Sequence, residues 1–262
     1  MKISIFLPTI RTHLLESWYS SLQLSCSRHD FEVVFCGPFD IPETLSNKSN
    51  VKFIKDFGNP TRAAQLAAIE AEGDLIYHTV DDVIFYENIL SDEIDRIEDN
   101  QITAMRYVEG KDHSGVELPA SYWYPLPSDY ANWPGVSDKW GIGIHFLMKK
   151  SLFLEFGGFD CRFEYLVHST HDLLFRIQKN SNTIYRLSKK IASSADWQPE
   201  TTGDHGPIHY AQLTHDAGLF QSLWFNGNET ARIDLDNWKT APDVWERRFD
   251  TQEVKSYEAL YQ

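Results

Sequence analysis

Residues 59–82, NPTRAAQLAAIEAEGDLIYHTVDD, constrain the fold more than any other stretch. Asn59 is an N-cap type, Pro60 suits the first helical position, and an alanine-rich helix pattern follows as far as Gly73. DLIYHTV at 74–80 is then a short apolar run of strand type that leads straight into Asp81-Asp82. Three similar runs precede it: KISIFLP at 2–8, FEVVFCG at 31–37 and VKFI at 51–54, with a helix pattern at 12–24. Strands alternating with helices at this spacing predict a parallel sheet with right-handed crossovers. In such sheets ligands bind beyond the carboxyl ends of the strands, which is where Asp81 and Asp82 fall.

Further along, 87–98 reads as a charged helix, 102–109 as a strand, 110–140 as loop and 143–150 as another strand. A short helix then ends at Gly157-Gly158, and 171–180 is an amphipathic helix. From about 195 onward the chain becomes richer in His, Trp and acids. No internal repeat is present.

The formal net charge of -14 sets the chain against nucleic acid and anionic membrane surfaces, which would be repelled overall. It does not exclude a local phosphate site, because a divalent ion inverts the field around it. The three cysteines, Cys26, Cys36 and Cys161, have no metal-type spacing and no disulfide pattern, which points to a reducing, cytoplasmic setting. The apolar run at the amino end is too short for a signal peptide and reads as a buried strand. No stretch approaches the length of a membrane span.

Four groups of residues carry candidate chemistry. Two adjacent carboxylates repel each other and need a cation or hydrogen bonds to stay ionised; as hard oxygen donors they suit Mg²⁺ or Mn²⁺. The bland alternative is a turn or capping pair. Arg62, in the first turn of its helix, is placed for an anion or a nucleobase, or is a solvated surface residue. His171 and Asp172 fall near a helix start, where either could deprotonate a hydroxyl, and Asp172 and Arg176 are spaced to pair on one face. Residues 201–218 hold His205, His209 and His215 in a spacing that matches no zinc pattern.

Taken in order, SIFLPTIR (4–11), residues 59–82 and GGFDCRFEYLVHSTHDLLFRI (157–177) resemble the family 2 type of nucleotide-sugar glycosyltransferases. The resemblance spans residues 1–180. It implies the GT-A fold: a mostly parallel central sheet flanked by helices, here with a C-terminal helical and loop extension. The implied division is a glycosyltransferase domain over 1–195 and an extension over 196–262 packing on or near the active site. Within the domain, 1–100 would bind the nucleotide and 101–195 the acceptor.

By the same resemblance Pro8, Thr9 and Arg11 line the nucleoside pocket, Arg62 approaches base or phosphates, and Asp81 contacts ribose or the metal shell. Asp82 ligates Mn²⁺ or Mg²⁺, joined by His205 or His209, and Trp140 and Gly141 lie near the sugar. Asp172, or else His171, is the general base of an inverting transfer from a UDP- or GDP-linked sugar to a glycan or other hydroxyl acceptor. Two departures stand out. The second strand ends at Gly37-Pro38-Phe39-Asp40, leaving Asp40 as the acid for the base, and the family's usual Glu-Asp pair is replaced by Ser169-Thr170.

Two rival readings use the same features differently. A sugar nucleotidyltransferase would carry a glycine-rich basic loop after the first strand, where this chain has PTIRTH. A non-catalytic carbohydrate-binding protein would use the aromatic loop at 122–140 and ignore nucleotide and metal.

Overall fold

The computed structural model describes residues 2–109, 122–124, 130, 132–195 and 211–241. β1 (Ile3–Pro8), β2 (Phe31–Gly37), β3 (Val51–Lys55) and β4 (Leu75–His78) are parallel neighbours in the order β3-β2-β1-β4. β1, β2 and β4 are near-continuous apolar runs because both faces of the sheet are covered. The helices α1 (Leu15–Ser25), α2 (Glu43–Ser46) and α3 (Pro60–Glu70) lie in the connections between these strands. α3 starts where the sequence puts it: the Asn59 side chain accepts from the Arg62 N–H at 2.8 Å, a cap that contributes about 1 kcal/mol.

Beyond β4 the sheet continues through β8 (Phe146–Lys149), β6 (Gln101–Glu109), β9 (Ile184–Ala195) and β5 (Val83–Phe85), and β7 (Tyr122–Tyr124) pairs with β6. The registers give β5, β7 and β8 one direction and the other six strands the opposite one. The architecture is thus the mixed, mostly parallel α/β sheet expected.

Helices cover both faces. α1 and α4 (Ile89–Ile94) bury Trp18, Leu22 and Leu90 with Leu7, Phe35 and Tyr77. On the other face α3, α5 (Lys150–Glu155) and α6 (Leu166–Asn180) pack Ala64, Phe153 and Leu173 against Phe6, Ile76 and Phe146. A third cluster joins Phe163 and Phe175 to Phe220 and Trp224 of the C-terminal segment. There α7 (Ala217–Phe220) is flanked by π-helical turns at Gln212–Asp216 and Gln221–Phe225.

Several boundaries differ from the sequence reading. The strand over 143–150 is confined to Phe146–Lys149, and the helix over 87–98 to Ile89–Ile94. α6 begins at Leu166 rather than 171, so His171 and Asp172 sit in its second turn and not at its start. β5, β7 and β9 were not anticipated, β7 falling within the span 110–140 read as loop. β9 is half exposed along much of its length and breaks register opposite Arg106, whose N–H donates to the buried Ser188 hydroxyl at 2.8 Å.

Buried neutral histidines set an acid limit on this core. Burial pushes His78 down from the usual 6.5 to about 4, and pushes His145 and His171 down to about 3. The unfolded chain therefore binds protons that the folded chain refuses. Their contribution is full above about pH 6.5 and falls as pH drops toward 4, by about 1.4 kcal/mol per pH unit for each histidine. Urea denaturation at pH 7, 6 and 5 is expected to show stability declining through this window. The decline should be shallower in His145→Gln than in the parent; equal slopes would refute the assignment.

Candidate functional site

The β4 ladder ends at His78. The Thr79 hydroxyl and His145 Nδ1 bond at 3.0 Å, and the Val80 carbonyl accepts from Trp18 Nε1 at 2.9 Å. The chain then presents Asp81 and Asp82 at the carboxyl edge of the sheet, both buried.

Asp81 gathers the loop that follows β1. Its Oδ2 accepts from the Thr9 hydroxyl at 3.0 Å and from the backbone N–H groups of Ile10 and Arg11 at 2.9 Å each. Arg11 closes the ring, its guanidinium donating to Asp81 Oδ1 at 2.7 Å and to Asp82 Oδ2 at 3.1 Å. Pro8, paired with Cys36 at the strand end, leads into this loop. Five of the expected site residues therefore meet at one point: Pro8, Thr9, Arg11, Asp81 and Asp82.

A second cluster stands at the amino end of α3. Arg62 donates to Asp56 at 2.9 Å, and Trp238 of a 3-10 turn at Leu235–Thr240 lies 5.7 Å from the guanidinium carbon. Arg62 Nε and Asn59 Nδ2 are buried and have no hydrogen-bond partner among the described residues. Asp40, by contrast, is exposed and pairs with Lys55 at 3.0 Å. Asp56 and Trp238 escaped the sequence reading. Asp56 follows the last residue of β3, so the strand-end rule could have found it, whereas nothing local marks Trp238.

The Gly157-Gly158 turn and α6 form the third part. Both glycines have left-handed φ, 82° and 71°, and a Cβ would lie 2.0 Å from the Ile233 carbonyl at the first and 2.2 Å from Gln65 Oε1 at the second. Arg176 donates to the carbonyls of Phe156 and Gly158 at 2.6 Å each and is held by Asp172 Oδ2 at 2.7 Å. The other Asp172 oxygen accepts from Trp224 Nε1 at 3.0 Å. Burial pushes the Asp172 carboxyl up and the Arg176 guanidinium opposes this. Both Asp172 oxygens are thus committed to holding the turn.

The other expected residues scatter. His171 is buried against Tyr130, and its Nδ1 has no hydrogen-bond partner among the described residues. Trp140 packs on Phe175 and Trp224, and both backbone groups of Gly141 bond to Gln178, two turns further along α6 than His171. His205 and His209 lie outside the described residues.

This arrangement, an acid pair at the end of the fourth strand of a mixed sheet, has the GT-A fold of nucleotide-diphospho-sugar transferases. The solved structures it is similar to include those of TarS from S. aureus. TarS 1-349 matches with a TM-score of 0.53 and 18% identity, over 75% of this chain and 60% of that one. The same fragment in complex with UDP gives 0.53 and 18%, over 82% of this chain and 66% of that one. In complex with UDP-GlcNAc it gives 0.53 and 16%, over 99% and 76%. In the first two of these matches the chain spans less than two thirds of TarS 1-349. No family model and no curated protein matches the chain. Among the described residues no helix is long and apolar enough to cross a membrane.

Removing one member of the Asp172–Arg176 pair leaves the other buried and uncompensated, at a cost of about 3–5 kcal/mol. Asp172→Ala is therefore expected to lower the urea midpoint sharply. A shift equivalent to under about 1 kcal/mol would show that the pair does not hold the turn.

Proposed function

We propose that the chain is a glycosyltransferase that takes a UDP- or GDP-linked sugar and passes the sugar to a hydroxyl acceptor with inversion. The observation that carries this is Asp82, buried at the carboxyl edge of β4 beside Arg11, in a fold shared with proteins whose structures hold UDP and UDP-GlcNAc.

The residues present fit a divalent ion. Asp81 is engaged in holding its loop, and Asp82 supplies a hard carboxylate oxygen next to it. Among the described residues no group of three or more His, Cys, Asp or Glu side chains forms a metal cluster. Mg²⁺ and Mn²⁺ need none where one or two carboxylates are joined by diphosphate oxygens and water. Asp82 would hold the ion, with His205 or His209 as further ligands, and the ion would neutralise charge on the departing diphosphate. The loop 8–11 would line the nucleoside pocket, and Arg62, with Asp56 and Asn59 around it, would meet the base or phosphates.

The carbohydrate-binding alternative draws less support. Tyr130, Trp133 and Trp140, each partly exposed, pack against Phe175, Phe220 and Trp224 in the third cluster, and residues 125–129 and 131 of that aromatic loop lie outside the described residues.

Calorimetry with UDP and GDP, each with and without Mn²⁺, tests the donor site. Binding of one nucleotide, strengthened by Mn²⁺, is expected. Asp82→Ala should keep its melting temperature yet lose transfer and donor hydrolysis by a hundredfold or more, roughly the several kcal/mol a metal clamp provides. Full activity in that variant, or in chelator-treated protein, would end the metal-dependent reading.

A further inference from the structure

The proposed transfer needs a base for the acceptor hydroxyl, and α6 does not offer one. Asp172 has both oxygens occupied. His171 is buried and pushed down to about 3, which leaves it a poor proton acceptor. His168 is buried, stacked on Phe163 and edge-on to Phe220. Asp160 is bound by the Arg162 guanidinium through both oxygens.

A different pair stands at the start of α6. His215 Nδ1 and Asp216 Oδ1 are 2.7 Å apart. Asp216 is fully buried, and its carboxylate accepts the N–H groups of Glu164 and Tyr165, so it cannot swing away. Burial pushes its carboxyl up, while the bond to His215 and the Tyr165 N–H oppose this. His215 itself has a side chain 44% exposed. A carboxylate fixed on Nδ1 sets the tautomer, leaving the Nε2 lone pair to accept a proton, and it stabilises the imidazolium that forms.

The pair is on the correct edge of the sheet. Ile184 of β9 lies beside Gln101, the first residue of β6, at the amino edge. α6 ends just before β9 begins, so its start is at the carboxyl edge with Asp81 and Asp82. The Ser169 hydroxyl of α6 also bonds the Thr61 hydroxyl at 3.2 Å, setting this end of α6 against the first turn of α3 and Arg62.

From this geometry we infer that His215 is the catalytic base of the proposed transfer and Asp216 its positioning residue. The inference rests on the glycosyltransferase reading. In the step, Nε2 takes the acceptor hydroxyl proton and the acceptor oxygen bonds the anomeric carbon. The bond from that carbon to the diphosphate oxygen breaks, and the diphosphate leaves with the electron pair.

The test uses His215→Ala and His215→Gln in the full chain, which leave the Asp216 contacts to Glu164 and Tyr165 in place. Wild type is first assayed for UDP binding and for transfer from a panel of nucleotide sugars to water and to hydroxyl acceptors. If it does neither, the functional reading and this inference fall together. If it transfers, both variants are expected to lose about 10²–10⁴-fold in kcat with donor KM and UDP affinity unchanged. Added imidazole should restore part of the activity of His215→Ala but none of that of His215→Gln, where the side chain fills the space. A kcat within threefold of wild type, or a loss confined to KM, overturns the inference while leaving the transferase reading intact.

Discussion

The carboxylate of Asp81 organises the site. Three donors from the loop after β1 converge on one of its oxygens and the Arg11 guanidinium takes the other. Hydrogen bonds to a charged acceptor contribute about 1.5–3 kcal/mol each, more than neutral ones. Without them the loop would have no reason to fold over the end of β4, and Arg11 would not reach Asp82. The two acids therefore divide the work that their adjacency suggests they share: one builds the loop, and the other is held in place by what the first has assembled.

A comparable division runs through the C-terminal segment. α6 has no side-chain cap of its own, and Asp216 provides one from across the molecule by accepting the N–H groups of Glu164 and Tyr165. Trp224 fixes Asp172, which fixes Arg176, which fixes the carbonyls of the glycine turn. Asn237 exchanges bonds with Phe159 and Cys161 on the far side of the same turn, and Gln65 of α3 bonds both Gly157 and Leu235. The Gly157-Gly158 turn is thus ordered jointly by two distant parts of the chain.

This explains which features could be read from the sequence. The parallel half was legible because its signals are local: the Asn59-Pro60 helix start, the apolar runs of β1 to β4, and an acid pair at a strand end. The beginning of α6 was not, since its capping carboxylate lies some fifty positions away and Tyr165 carries no cap signature. β9 was missed because two adjacent exposed lysines, Lys189 and Lys190, and three buried serines, Ser188, Ser193 and Ser194, break any alternation of apolar and polar residues, and its pairing with β6 shifts register where Ser188 accepts the Arg106 N–H. Asp172 illustrates a different limit. Its i, i+4 pairing with Arg176 was visible in the spacing, yet only the fold shows that Trp224 occupies the remaining oxygen. An acid near a helix start reads as reactive until its neighbours are known.

Charge supplies the physical argument for a metal. A nucleotide-diphosphate donor of the kind proposed would bring negative charge to a chain whose net charge is already -14. The arginines at this end of the sheet do not offset it. Arg62 is matched by Asp56, Arg162 by Asp160 and Arg176 by Asp172, while Arg11 faces two carboxylates at once. Among these four arginines and their five carboxylate partners the balance is one negative charge, because Arg11 alone of the four faces two acids. A diphosphate placed beside the buried Asp82 would be repelled more strongly than in bulk water. A divalent ion held beside Asp82 would reverse the sign of that interaction.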